Sequence, residues 1–132
     1  MVKYTSFKVA KLVRDKALEN LTAEGALVDH EHLPRDKIEL VLKDKILEEA
    51  REIIEGETKE AIAEEIADLM EVVLTYMDHL SITREEVEAI RAEKTAKTGA
   101  FKNALYIQKI TVEEGSLQEA HFLRQPHKYP VL

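Results

Sequence analysis

Residues Lys45–Glu71 read KILEEAREIIEGETKEAIAEEIADLME, two helical runs joined by a very short turn at Gly56. At about 100° of rotation per residue, Ile38, Leu42, Ile46 and Ile53 share one broad face of the first run, and Glu49 falls inside it. Glu52 sits at the edge of that face, one turn on. In the second run Ile62, Ile66, Leu69, Val73, Tyr76 and Leu80 make the apolar face. Glu65 falls between Val72 and Tyr76 on the wheel, and Asp68 follows at the border. If Gly56 closes one helix and the next starts near Thr58, the pair is an antiparallel hairpin folded near Glu57. Residues equidistant from the fold lie level, which sets Glu49 opposite Glu65. Glu52 and Asp68 then lie within about one turn, roughly 5 Å along the axis.

Carboxylates on core-facing stripes are costly. An unpaired buried carboxylate protonates rather than stay charged, so several together require cations. Hard oxygen ligands with no neighbouring His or Cys favour Mg²⁺ or Mn²⁺ over Zn²⁺. A di-iron bundle would carry Glu-x-x-His on two helices, and this chain has no such motif. Mg²⁺ held by a few carboxylates keeps waters and shares substrate phosphates, which points to attack of water on a phosphoanhydride. The competing reading is solvated charge on helix surfaces. It suits Glu60, Glu64 and Glu71 better than Glu49 and Glu65.

Outward from the hairpin, a helix is expected from about Lys8 to just before Gly25, with Val9, Leu12, Val13, Ala17 and Leu21 on one side. Residues 26–33 lack a clean period and suit a loop. Pro34 fits the first turn of the next helix, with Asp36 near its positive end, and that helix should run to about Glu55. The following helix runs from about Thr58 to His79 or Leu80. Thr83 with Glu86 three residues later forms a capping-box pattern for a fourth, ending at Gly99. Tyr76, Met77 and Phe101 are placed in the core. Leu105–Val112, LYIQKITV, has β-branched content suited to a short extended segment. The expected architecture is all-α, an antiparallel four-helix bundle with a short extended C-terminal segment.

At 132 residues and 15.1 kDa the chain fits one domain over residues 1–132, with a core of about 8–106 and a tail of 107–132. No apolar run approaches the ~20 residues that span a bilayer, so no membrane partner is expected. There is no Cys, hence no disulfide or thiolate chemistry, and a cytoplasmic location is the plain expectation. A net charge of −7 argues against a nucleic-acid polymer as partner. It leaves room for a small phosphorylated ligand where a metal and a few cations invert the local field.

Glu48-Glu49-x-x-Glu52, twelve intervening residues, then Glu65-x-x-Asp68 resembles the EExxE…ExxD signature of MazG-like all-α nucleoside triphosphate pyrophosphohydrolases. Lys11-Leu12-Val13-Arg14-Asp15-Lys16 is similar to the KLVRDK opening of the branch labelled phosphoribosyl-ATP pyrophosphohydrolase-like. Lys97-Thr98-Gly99-Ala100-Phe101 resembles its late K-x-G-G-F segment, with Ala100 replacing the second Gly. The resemblance implies Glu49, Glu52, Glu65 and Asp68 as metal ligands, with Glu48, a catalytic candidate beside Glu49, either supporting those ligands from behind or orienting water as a base. It also implies cleavage between the α and β phosphorus, giving a nucleoside monophosphate and pyrophosphate. Arg14, Lys94 and Lys97, with Lys102 and Asn103 behind them, are the candidates to meet the triphosphate. The first two hairpin helices carry a second apolar set, Leu40, Leu47 and Ile54, which predicts a homo-oligomer with the site near the subunit contact. Two other readings stay open. One is phosphoribosyl-ATP hydrolysis in histidine biosynthesis; the other is a non-catalytic helical interaction module.

Overall fold

A computed structural model describes all residues, Met1–Leu132. The chain is all-α: α1 (Ala17–Ala23), α2 (Arg35–Glu55), α3 (Lys59–His79), α4 (Arg84–Thr98) and α5 (Leu117–Leu123), with no strand. It divides into two compact units, Met1–Glu93 and Lys94–Leu132.

The first unit is organised by the α2–α3 hairpin, whose two 21-residue helices pack along their length. α2 starts after Pro34, whose fixed φ suits the entry and whose carbonyl accepts from the Lys37 and Ile38 amides. α3 starts at Thr58, whose hydroxyl accepts the Ala61 amide at 3.1 Å and so satisfies a donor at the helix start. Gly56 ends α2 with φ −62° and ψ 133°, an extended conformation open to any residue. Its glycine is required by space instead, because a Cβ there would lie 2.7 Å from Ile62 Cγ1. The tight turn brings the start of α3 against the end of α2. Between the helices Leu42 is 1% exposed, and half-buried Ile38, Ile46, Ile53, Ile62, Leu69, Val72 and Tyr76 line the rest of the hairpin. The other fully buried residue is a charged one, Glu49, at 5%.

Several expectations need correction. The helix expected from Lys8 begins only at Ala17, and Val9 and Val13 are more than half exposed. Ala10 has φ +48°, a left-handed conformation that no helix tolerates in its interior. The segment before α1 instead lies beside the hairpin and reaches it through side chains. Phe101 does not plug a core: it is fully exposed after Gly99, whose φ of +83° turns the chain out of α4. The α4 start agrees with expectation, since Thr83 and Glu86 exchange the reciprocal bonds of a capping box at 3.1 and 2.8 Å.

In the second unit, residues 105–112 form neither helix nor strand. α5 was not anticipated, although Ser116-x-x-Glu119 has the capping-box spacing: Ser116 Oγ accepts the Glu119 amide, and Glu119 Oε1 accepts the amide of Gly115, one residue before the cap, each at 3.1 Å. α5 is closed by Tyr129, whose ring meets Phe122 edge-on at 4.8 Å between centroids.

Replacing Gly56 by Ala forces the added methyl onto Ile62 and is expected to cost about 1–3 kcal/mol as an overpacked contact. Urea unfolding checks it; an unchanged midpoint would mean the turn relaxes freely.

Candidate metal centre

Glu49, Glu65 and Asp68 each offer a carboxylate oxygen, and these atoms lie within 4.8 Å of one another. α2 supplies Glu49 from its buried stripe, and α3 supplies Glu65 and Asp68 three residues apart on the facing side. Oε2 of Glu49 and Oε2 of Glu65 are both shielded and have no hydrogen-bond partner. An acceptor oxygen removed from water without a donor is costly, and a cation or a shared proton would relieve both. Half-buried Glu52 completes the group, adjacent to both Glu49 and Glu65.

The electrostatics follow from this crowding. Burial, then the adjacent Glu52, pushes the Glu49 carboxyl above the usual range, and Lys45 at 3.5 Å opposes the shift. Glu65 is pushed up to about 7 by its contact with Glu52, by desolvation, and by the charges of Glu52, Asp68 and Glu49. Glu48 goes the other way. It accepts from Lys11 at 2.9 Å and Lys45 at 3.2 Å, and these cations, Lys11 first, hold it below the usual carboxylate range. So held, Glu48 is a weak base. Arg14 donates to Asp68 Oδ1 at 2.6 Å.

The hairpin thus brings together Glu48, Glu49, Glu52, Glu65, Asp68 and Arg14. It adds two residues that the sequence reading did not single out. Lys45 carried a signal, standing three and four residues before Glu48 and Glu49 on one helix. Lys11 carried only its place in the KLVRDK segment, because its partner is 37 residues away. Lys94 and Lys97 lie exposed in the last turns of α4, and Lys102 and Asn103 lie exposed just after it; all four belong to the second unit. Glu60, Glu64 and Glu71 are solvated, as expected.

A donor set of carboxylate oxygens alone, with two orphaned lone-pair sets, fits a hard divalent cation such as Mg²⁺ or Mn²⁺.

The raised Glu65 pKa sets a pH dependence. Between the ordinary value of 4.5 and about 7, the folded protein holds a proton that the unfolded chain has released. This contribution is complete below 4.5 and is lost as pH rises through about 7. In chelator, Tm is expected to fall from pH about 5 to about 8, and Glu65→Gln to flatten that fall. Thermal scans across pH check both; a slope identical in the variant would remove the assignment to Glu65.

Compared with known proteins, the chain matches no family model, no curated protein and no solved structure.

Proposed function

We propose that the α2–α3 hairpin is the metal centre of a Mg²⁺- or Mn²⁺-dependent nucleoside triphosphate pyrophosphohydrolase. The observation that carries this is Glu49: nine-tenths buried, one oxygen unpartnered, and directed at Glu65 and Asp68. A solvated acidic patch has no reason to bury its central carboxylate. A helical interaction module has no reason to leave that carboxylate's oxygen without a donor. Glu49, Glu65 and Asp68 would hold the cation, with Glu52 alongside. When bound, the cation draws charge from phosphoryl oxygens and lowers the pKa of nearby water. Arg14 and Lys11 stand at the rim as phosphate-binding cations, Arg14 through its bidentate fork. Glu48 sits one residue from Glu49 and orients the attacking water. The EExxE…ExxD spacing supports a nucleotide substrate cleaved between the α and β phosphorus. Hydrolysis of phosphoribosyl-ATP uses the same acids and is separated from this reading by the substrate panel below.

The hairpin also presents an apolar layer. Leu40, Leu47 and Ile54 on α2 are 63–82% exposed, and Ile66, Met70 and Val73 on α3 are 37–60% exposed. Because the helices are antiparallel, both stripes lie on one side of the hairpin, and Glu48, Glu52 and Asp68 lie toward the other. A second hairpin laid on this layer completes a four-helix bundle as a two-fold dimer, since each copy brings the same stripes. The acids then open away from that contact rather than beside it.

Pyrophosphate release across a panel of nucleoside triphosphates and phosphoribosyl-ATP with Mg²⁺ tests the activity. Glu49→Gln and Asp68→Asn are each expected to abolish turnover and the rise of Tm with Mn²⁺, with helicity by circular dichroism unchanged. Turnover surviving either change would count decisively against this centre. Light scattering is expected to give a mass of at least twice 15.1 kDa, falling toward the single-chain value in Leu47→Glu. A monomer before the substitution would remove the dimer.

A further inference from the structure

Resting on the proposed metal centre, we infer that Lys11 and Arg14 are exchangeable counter-cations of the acid cluster, which a divalent cation displaces and a polyphosphate then takes up. Residues 1–13 donate no backbone amide to another backbone carbonyl, and none accepts one. Lys11–Glu48 and Arg14–Asp68, with half-buried Leu12 between them, are what tie this segment to the hairpin. Both cations are more than half exposed, at 56% and 62%. Ion pairs so open to water are weak and re-form readily with other partners. Each cation also feels more of the cluster than its direct partner. The charges of Glu52 and Glu49 act on Lys11, and those of Glu71 and Glu49 act on Arg14.

A divalent cation seated among Glu49, Glu65 and Asp68 competes with Arg14 for Asp68 and repels both side chains. The freed Lys and Arg stand beside the cation with unsatisfied donors, as a triphosphate requires. Metal and segment are therefore linked: whatever weakens the two ion pairs must tighten metal binding, and the reverse. An ordinary structural ion pair would stay closed when the metal binds and would not free the segment.

The test uses the full chain, with Mn²⁺ alone and then inorganic triphosphate on the Mn²⁺-saturated protein, both by calorimetry. Lys11→Gln and Arg14→Gln are each expected to tighten Mn²⁺ by about fivefold, as expected from removing one charge some angstroms from a divalent ion in water. They are expected to weaken triphosphate by about tenfold or more, the cost of a lost charged hydrogen bond. In the unsubstituted protein, tryptic cleavage after Lys11 is expected to speed up on adding Mn²⁺. Mn²⁺ affinity equal or weaker in the variants, or cleavage unaltered at saturating Mn²⁺, overturns the exchange while leaving the metal centre intact. Failure of Mn²⁺ to bind the unsubstituted protein removes the centre itself, and the exchange with it.

Discussion

Packing α2 against α3 draws carboxylates into a space that also contains the best-buried apolar residue of the chain. Glu49 lies two turns from Leu42 on the same stripe, so any register that buries one buries the other. Glu65 and Asp68 meet it from α3. Their mutual repulsion is met on one side by Lys45, Lys11 and Arg14, and two oxygens are left facing inward without a donor. A fold selected for stability alone would place Leu or Met there. The hairpin instead crowds carboxylates together, and their relief by a cation is what the proposed activity would use.

The surroundings differ on the two sides of the cluster. On the acidic side, an N-terminal segment without regular structure is fastened by side-chain charge rather than by a backbone ladder. On the opposite side, the same helices present aliphatic residues in the open. The two faces suit two tasks. In the proposed reading one would take a cation and phosphate, and the other a second copy of the hairpin.

The Glu residues of the cluster do not share one chemistry. Glu48 is held low by two lysines, Glu49 is raised by burial, and Glu65 is raised by its acidic neighbours. Acids within one turn or one helix pair of each other are thus already sorted into a charged outer residue and reluctant inner ones. Such separation is what a centre needs in order to bind a cation with some groups and handle water with another.

By itself the sequence determined the hairpin, because the period of its apolar residues, the Gly56 turn and the Thr58 cap are local signals. The same period put Glu49 and Glu65 on inward stripes, and counting from the turn set them level. It also marked the α4 start at Thr83, and the α5 cap at Ser116 was present but passed over. Only the tertiary structure decided what the N-terminal segment does. Its apolar spacing suggested a helix, yet Ala10 turns left-handed and Lys11 and Arg14 extend to acids 37 and 54 residues away. It likewise decided that Gly56 is needed for the space beside Ile62 and not for its backbone angles. The physical reason is common to both: helix period and caps are written within a few residues, whereas electrostatic partners and close approaches depend on where distant segments come to lie.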